Sequence, residues 1–496
     1  MSSEMHSSRR IITQTGIQVL GKIASIGFGV IAIAIITRSL GLAGYGEYAT
    51  VMAYLQLFGI AVDLGLNVLA PSELGRLKYG EQKNFSPSTA VEGEREGEGV
   101  RAGRLLSNIF TIRLSAAVIV FALAAGVAFL IPTYSPAVRI GIALATFSFL
   151  GIVLTQILQT PFQVAADMRM IAIAEIVGRA LLVGGVALAA WRGAGLLAMV
   201  WATIVGNTAM CVIAFIAARR HVALHLSFDF VAWRGILSRS WPIALSILFN
   251  LVYLRADAVI LSLLKPAADV GIYAAPYRLL DVLTQFPHMV MGLVLPMLAA
   301  VWAAGDRARF HERLQRTFDG LALVGFPIAA GAIALGTPLM SFVAGREFAV
   351  SGPVLGVLAL ALLGIFLGQP FGYGVVAVGA QRRMLWGYAV VAAVTLVGYL
   401  VLIPVFSYWA AAWLTVASEI AIATITFSVV RRASGFRITL RIATSAFVAS
   451  VVMGIVLMLL PFPIIPRIAT GAIVYGFLVL MLPWTRPIIT TVLPRL

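Results

Sequence analysis

Ten ionisable residues lie inside long apolar runs of this 496-residue chain, where a charge is costly. Five are basic and five are acidic, so their formal charges sum to zero. They are Lys22, Arg113, Arg179, Arg255, Arg278, Asp63, Glu175, Asp257, Asp281 and Glu419. Such charges either neutralise one another as structural pairs or face a water-filled path through which a charged group passes.

Helical spacing separates these possibilities for one stretch, Leu254 to Asp281. Arg278 and Asp281 are three residues apart and can pair on one helix face. Arg255 and Asp257 are two apart, which puts them on nearly opposite faces, so they cannot satisfy each other. Asp257 and Arg278 each lie about 7 residues, or ~10 Å, from the outer end of their runs. A bridge between these two is therefore predicted, leaving Arg255 and Asp281 for other partners.

The composition identifies the class of protein that must position these charges. Hydrophobic residues make up 61% of the chain and charged residues 11%, with a mean hydropathy of +0.99. Soluble domains carry about 25% charged residues, so a water-soluble core does not explain this composition. Apolar runs of about 20 residues recur along the chain, and each can cross a ~30 Å hydrocarbon layer. An all-α polytopic membrane protein is predicted.

About fourteen membrane-spanning helices are expected from these runs. They cover residues 15–36, 47–70, 105–131, 138–165, 171–191, 196–218, 240–264, 271–302, 318–340, 353–380, 385–404, 409–430, 441–460 and 467–483.

Lys and Arg are distributed unevenly over the connections between the runs. With the N-terminus in the cytoplasm, 25 of them fall on the inner side and 6 on the outer side. Cytoplasmic loops carry this excess in membrane proteins, so both termini are predicted to be cytoplasmic. The net charge of +16 is explained by this orientation rather than by nucleic-acid binding.

Two segments 225 residues apart are similar. "AGYGEYA" at 43–49 aligns with "ADVGIYA" at 268–274, and each begins the second span of its half. Gly-rich turns can match by chance, but the shared topological position favours duplication into two six-helix lobes with a cleft between them. The predicted domains are an N-terminal lobe at 1–218 with a charged cytoplasmic loop at 71–104, a linker at 219–239, a C-terminal lobe at 240–430, and two additional helices with a cytoplasmic tail at 431–496.

Several apolar stretches carry Gly, Tyr, Asp and Pro at characteristic places. They are "TRSLGLAGYGEYA", "VDLGL", "ILSRSWPIALSILFNLVYLRADAVILSLL" and "DVGIYAAPYRLLDVL", followed by Pro287 and "LP" at 295–296. With these stretches the chain resembles the polysaccharide transporters, the Wzx-type flippases of the MOP superfamily that also holds MATE drug exporters and MurJ. The resemblance covers most of the first twelve spans. It implies a MATE/MurJ-like fold that moves a polyprenyl-pyrophosphate-linked oligosaccharide across the bacterial cytoplasmic membrane for O-antigen, capsule or exopolysaccharide assembly.

The substrate implied by the resemblance suggests ligands for it. Arg donates paired hydrogen bonds to phosphate oxygens and stays charged. Lys22 and Arg255 are therefore the first candidates to bind the pyrophosphate, and Arg278 is the next. Asp257 and Asp281 are expected beside them in the cavity. The alternative is that these side chains snorkel to the membrane surface or form packing pairs.

Asp63 and His288 occupy equivalent positions at the 225-residue offset. Either could bind and release a proton or Na⁺ and so couple transport to an ion gradient, with His the better titrating group. A hydrogen bond at a helix end is the competing explanation. Membrane-embedded amides could hydrogen-bond sugar hydroxyls or link helices. They are Gln56, Asn67, Gln156, Gln159, Gln163, Asn250, Gln285 and Gln369.

A flippase makes no covalent bond, so no catalytic residue, metal or cofactor is expected, and the chain has no P-loop for ATP. The expected partners are the lipid-linked substrate, H⁺ or Na⁺, membrane lipids and, during assembly, a polysaccharide polymerase and a chain-length regulator; the chain is expected to be a monomer.

Other functions explain the sequence less well. A MATE-type exporter of cations would favour an acidic cavity and leaves Lys22 and Arg255 unexplained. A membrane polysaccharide polymerase or glycosyltransferase generally has a large outer loop, whereas the outer connections here are short. A receptor or scaffold would need neither the repeat nor the embedded charges.

Overall fold

A computed structural model describes residues 2–67, 69–70, 92–165, 168–219 and 225–481. Within these ranges the side chains of 2–24, 60, 92–102, 164–165, 239, 242–243 and 245–254 are not described.

These ranges form fourteen α-helices, one short 3₁₀-helix and no β-strand, which confirms the predicted all-α class. The α-helices are α1 (Ser2–Asp63), α2 (Glu92–Leu130), α3 (Pro136–Leu158), α4 (Thr160–Ala165), α5 (Arg169–Trp191), α6 (Leu196–Ala218), α7 (Phe230–Leu264), α8 (Ala267–Ala303), α9 (Arg307–Ala344), α10 (Gly352–Ala377), α11 (Gln381–Phe406), α12 (Tyr408–Ser434), α13 (Arg441–Leu459) and α14 (Ile464–Met481). The 3₁₀-helix, Arg346–Ser351, lies between α9 and α10.

Among the described residues, twelve helical segments are long and apolar enough to cross a membrane. The first, Ser25–Asp63, overlaps the two predicted spans 15–36 and 47–70. These two spans are separate helices, because Gly41 inside α1 has non-helical backbone angles, with φ 66°. The predicted span 240–264 lies on α7.

Helix ends form where the sequence supplies capping residues. Ser135 precedes Pro136 at the start of α3, and its Oγ accepts a hydrogen bond from the Val138 amide at 3.3 Å. Asp306 caps α9 in the same way through the Arg309 amide at 3.0 Å. Gly435, with φ 74°, ends α12 in the left-handed conformation that glycine adopts without strain. These caps fix where the helices begin and end.

Parts of two predicted connecting segments are helical. Residues 92–104, expected to belong to an irregular charged loop, form the first turns of α2, because Glu and Arg are good helix formers. Residues 230–239, expected to be linker, form the first turns of α7. The rest of the charged loop, residues 71–91, lies outside the described residues.

The chain divides into two compact units. Unit 1 comprises Met1–Leu40 and Glu47–Arg255, and unit 2 comprises Gly41–Gly46 and Ala256–Leu496. The division falls inside α7 rather than in the predicted linker at 219–239, so the predicted domain limits remain a proposal.

Each unit contains the same tyrosine–threonine contact. In unit 1 the Tyr48 hydroxyl lies 3.2 Å from Oγ1 of Thr203 on α6, and in unit 2 the Tyr273 hydroxyl lies 3.1 Å from Oγ1 of Thr415 on α12. Both threonines also donate to the carbonyl four residues earlier, at 2.9 Å. Tyr48 and Tyr273 are aligned in the sequence repeat, so the two halves pack this tyrosine alike.

Candidate functional site

Helix α8 carries four polar side chains along one face. Arg278, Asp281, Gln285 and His288 are spaced by three, four and three residues, so they follow one stripe over about 15 Å. We call these four residues the α8 polar face. The side chains of Arg278 and Asp281 are 37% and 22% exposed, and Gln285 and His288 are exposed.

The α8 polar face makes contacts within its own helix and with α10. Arg278 Nη1 lies 3.6 Å from Asp281 Oδ2, a distance at which the pair attracts without a close hydrogen bond. His288 Nδ1 lies 2.7 Å from the Thr284 carbonyl. Its Nε2 lies 3.3 Å from Nε2 of Gln369, which comes from α10. Donors and acceptors from two helices are therefore available on this surface.

The face of α8 that adjoins the α8 polar face is buried. Tyr273, Tyr277, Leu280, Pro287 and Met291 are each less than 9% exposed. Because α8 is apolar and long enough to span the membrane, an exposed row of charged and polar groups on it is unfavourable against lipid tails. The α8 polar face is therefore suited to a hydrated path.

Asp257 lies on the buried side of unit 2 and is 1% exposed. One carboxylate oxygen accepts a hydrogen bond from the Tyr273 hydroxyl, and the other accepts from the Ala258 amide at 2.7 Å. The predicted bridge from Asp257 to Arg278 is wrong, since Arg278 pairs with Asp281 on its own helix. Asp257 acts instead as a buried acceptor that orients Tyr273.

Arg255 and Lys22 are the two cations that the sequence favours as pyrophosphate ligands. Arg255 is half-buried on α7, and its separation in exposure from Asp257 agrees with their predicted placement on different faces. Lys22 lies on α1, but its side chain is outside the described residues. The assignment of both to the substrate stays a prediction.

Unit 1 contains a second polar cluster, centred on Arg113 of α2, which is 0% exposed. Its Nη2 lies 3.0 Å from Asp63 Oδ1 and donates to Gln156 Oε1 at 2.9 Å. Its Nη1 donates to Asn67 Oδ1, and Asn67 Nδ2 donates to Gln156 Oε1 at 2.9 Å. We call these four residues the Arg113 cluster.

A helix break assembles the Arg113 cluster. Leu64 and Gly65 follow Asp63 with φ 49° and 72°, which ends the helix that started after Gly41. Glycine tolerates this left-handed backbone, whereas leucine adopts it only under constraint. The turn lets Asp63, before the break, and Asn67, after it, reach the same guanidinium. The "VDLGL" stretch therefore has a structural role: its turn brings Asp63 and Asn67 to Arg113.

The Arg113 cluster neutralises its own charge. A proton or cation at Asp63 would have to compete with a guanidinium 3.0 Å away, and a buried charge left alone is costly. His288, at the equivalent repeat position, is exposed and carries no carboxylate contact among the described interactions. Of the two predicted coupling residues, His288 is the more accessible.

Two other embedded carboxylates are placed by the structure. Glu175 on α5 accepts a hydrogen bond from Ser25 Oγ at 2.7 Å. Glu419 on α12 is 7% exposed and packs against α10, where a Cβ on Gly364 would lie 3.4 Å from the Glu419 Cβ.

Sequence reasoning named every member of the Arg113 cluster but did not bring the four together. Helical spacing predicts pairs within one helix, whereas Asp63, Arg113 and Gln156 lie on three different helices. The available signal was the glycine after Asp63, which indicates a break that turns the chain.

A multi-pass helical chain with two units, an internal repeat and an accessible polar face on a membrane-spanning helix has the architecture of a membrane transporter. A profile of the family described as polysaccharide biosynthesis protein matches residues 11–302. This match covers more than half of the chain, so the chain belongs to that family. The resemblance inferred from the sequence is thereby confirmed.

Solved structures show the same fold. The lipid II flippase MurJ in an inward closed conformation superposes with a TM-score of 0.73 at 13% identity, covering 93% of this chain and 98% of MurJ. An inward-facing multidrug resistance MATE family transporter of the MOP superfamily gives 0.63 at 13% identity, covering 85% and 97%. The eukaryotic MATE transporter AtDTX14 gives 0.57 at 12% identity, covering 90% and 99%. None of the curated protein sequences is a significant match. The chain is a multi-pass membrane protein of the transporter or flippase type.

Proposed function

We propose that this chain is a flippase for polyprenyl-pyrophosphate-linked oligosaccharides and works by alternating access in the bacterial cytoplasmic membrane. Its product would enter O-antigen, capsule or exopolysaccharide assembly, with a polysaccharide polymerase and a chain-length regulator as downstream partners. Membership in the polysaccharide biosynthesis family supports this proposal. The basic residues counted on alternate connections support cytoplasmic termini.

The observation that carries the proposal is the α8 polar face. A lipid-linked oligosaccharide presents a pyrophosphate, several hydroxyl groups and an apolar tail. The pyrophosphate needs a cation, and the hydroxyl groups need side chains that both donate and accept hydrogen bonds. Arg278 supplies the cation, while Gln285 and His288 supply hydrogen-bonding groups, and all of them follow one accessible stripe. Since the tail can stay in the bilayer, no enclosed apolar pocket is required.

Arg255 and Lys22 remain proposed pyrophosphate ligands, with Arg278 now supported by its exposure. Asp281 is proposed to hold the Arg278 guanidinium in place. Because the two groups are 3.6 Å apart, an incoming phosphate could replace the carboxylate as the partner of Arg278. Asp257 is proposed to act indirectly through Tyr273. For coupling to H⁺ or Na⁺, His288 is favoured over Asp63 because Asp63 is engaged by Arg113.

A MATE-type exporter of cationic compounds is the second candidate. It is favoured by the buried carboxylates Asp257 and Glu419, which are 1% and 7% exposed. Both carboxylates are covered by protein. On the α8 polar face the cation is the more exposed member of its ion pair, 37% against 22%, and it would repel a cationic drug that approached it. The exposed groups therefore suit an anionic substrate better than a cationic one.

Lipids that co-purify with the chain distinguish these candidates. The protein is extracted from a host that makes lipid-linked oligosaccharides, and bound lipids are identified by mass spectrometry. A polyprenyl-pyrophosphate sugar should be retained by the native chain and depleted in Arg278→Gln. Arg192→Gln, which changes an exposed arginine in a short connection, is the matched control and should retain it. Only bulk phospholipid in the native sample would contradict the proposal.

A further inference from the structure

The last part of the chain is rich in arginine and contains no acidic residue. Residues 420–496 contain seven arginines and neither Asp nor Glu, so the last carboxylate side chain in the sequence is Glu419. Four of these arginines fall within eleven residues, 431–441, at the end of α12 and the start of α13. Local sequence cannot neutralise them.

The first turns of α9 pack against this same connection. His311 Nε2 lies 2.9 Å from the Ser434 carbonyl. Gln315 donates to the Thr439 carbonyl at 2.8 Å and accepts from the Thr439 amide at 2.9 Å. The Phe436 ring is buried beside His311 at 5.6 Å between centroids. The connection is therefore held in a fixed conformation against α9.

This packing collects five exposed arginines at one end of unit 2. We call them the basic face: Arg309, Arg316, Arg431, Arg432 and Arg437.

Among the described residues, two carboxylates form ion pairs with the basic face. Asp306 lies 3.3 Å from Arg309, and Glu312 lies 2.5 Å from Arg316. A third carboxylate nearby, Asp319, is buried and accepts a hydrogen bond from Gln315. At the surface, five positive and two negative groups leave a formal excess of three positive charges. Salt bridges between side chains this exposed are weak, so both of these arginines can also turn to an external anion.

Apolar groups border the basic face. Leu440, between Arg437 and Arg441, is 52% exposed. The Arg307 guanidinium stacks on the Trp302 ring, 3.2 Å from its centroid, an arrangement that stabilises a cation beside an aromatic group. Aromatic residues with arginine are typical of the level at which spanning helices leave the hydrocarbon. Here α8, α9, α12 and α13 all begin or end.

We propose that the basic face binds the phosphate headgroups of anionic phospholipids in the leaflet at this end of unit 2. The face provides uncompensated positive charge, and the adjoining Leu440 and Trp302 suit the boundary between headgroups and acyl chains. Each arginine near an anionic membrane surface adds to the attraction, which is screened by salt. The lipid would be a bound component of the protein and is distinct from any transported substrate.

Binding of defined lipids to the full-length chain in detergent tests this proposal. Phosphatidylglycerol is compared with phosphatidylcholine of the same acyl chains, using native mass spectrometry and the midpoint of thermal unfolding. Phosphatidylglycerol should bind and stabilise more strongly than phosphatidylcholine. The variant Arg432→Gln/Arg437→Gln should weaken phosphatidylglycerol binding about 30-fold, the sum of two surface arginine contributions. The control variant Arg346→Gln/Arg467→Gln, at the other end of unit 2, should leave it unchanged.

Three results would overturn the proposal. Equal stabilisation by the two lipids would show that the headgroup charge is not recognised. Retained phosphatidylglycerol binding in Arg432→Gln/Arg437→Gln would place the lipid elsewhere. A polyglutamate peptide or an RNA oligonucleotide that stabilises the chain as much as phosphatidylglycerol would assign the face to a soluble polyanion; inorganic phosphate alone should have no effect. Because the readout is lipid binding, it is independent of whether the chain transports oligosaccharides.

Discussion

Gly46 and Gly271 meet backbone to backbone within unit 2. A Cβ on Gly46 would lie 1.7 Å from the Ala267 carbonyl oxygen, and a Cβ on Gly271 would lie 2.1 Å from the Leu42 carbonyl oxygen. Both glycines and both carbonyl groups are related by the 225-residue offset of the sequence repeat. One contact is thus made twice, once from each copy, which supports duplication over chance similarity.

Because these glycines approach so closely, substituting either one is expected to destabilise the protein. Gly46→Ala and Gly271→Ala should each lower the midpoint of thermal unfolding, because the helices must separate to admit a methyl group. Overpacking of this kind costs about 1–3 kcal/mol. Gly126→Ala, where a Cβ would meet nothing within 4 Å, is the control and should be neutral or slightly stabilising. Wild-type stability in both test variants would show that the backbones are not in contact.

The repeat illustrates what a single sequence can provide. Seven aligned residues identified two equivalent helix starts, and composition with hydropathy identified nearly every helix. Neither could reveal that Gly46 and Gly271 contact each other, since the contact depends on how two distant segments cross. The repeat aligns Tyr48 with Tyr273, but it does not reveal their threonine partners, which lie more than 140 positions away.

The Arg113 cluster predicts a large loss of stability when one charge is removed. Arg113→Leu leaves Asp63 without its cation, and Asp63→Asn leaves a fully buried guanidinium without its anion. Breaking a buried pair in this way costs about 3–5 kcal/mol. Thermal unfolding in detergent measures both effects.

A double variant separates pairing from packing in the Arg113 cluster. Arg113→Leu/Asp63→Asn should be less destabilised than the sum of the two single variants, because no lone charge remains. Strict additivity would mean that the 3.0 Å contact has no energetic weight.

Tyr273 and Tyr48 offer a matched pair of hydroxyl deletions. Tyr273→Phe removes a donor to the buried Asp257 carboxylate, and losing a hydrogen bond to a charged group costs about 1.5–3 kcal/mol. Tyr48→Phe removes a contact to the neutral Thr203 hydroxyl, which keeps its bond to the Met199 carbonyl. We expect the first variant to unfold at a clearly lower temperature than the second; equal effects would argue against a special role for Asp257.

The α8 polar face predicts loss of transport without loss of protein. Arg278→Gln removes the cation, and Gln285→Ala and His288→Ala remove hydrogen-bonding groups. Each should reduce polysaccharide export at least several-fold in cells that depend on this chain, at unchanged protein level. Leu293→Ala changes a 58% exposed apolar residue on the same helix and should preserve export. Full export in all three polar variants would remove the α8 polar face from the path.

The α8 polar face was only partly predictable. Arg278, Asp281 and His288 were named as candidates, but charge types and spacing could not show which side of α8 is covered by protein. The burial of Tyr273, Tyr277 and Leu280 settles it. The burial of Asp257 could not be predicted for the same reason. Helical spacing indicates that Asp257 faces away from Arg255, but only the packing of the helices shows that Asp257 is buried in protein.

Translocation by the purified chain is the most direct test of its proposed activity. The protein is reconstituted into liposomes containing a polyprenyl-pyrophosphate-linked oligosaccharide, and the fraction of sugar accessible to an external glycosidase or lectin is followed with time. The native chain should move the lipid between leaflets, and Arg278→Gln should slow the movement while Leu293→Ala does not. Protein-free rates with the native chain, across lipid-linked oligosaccharides of several repeat structures, would contradict the proposed function.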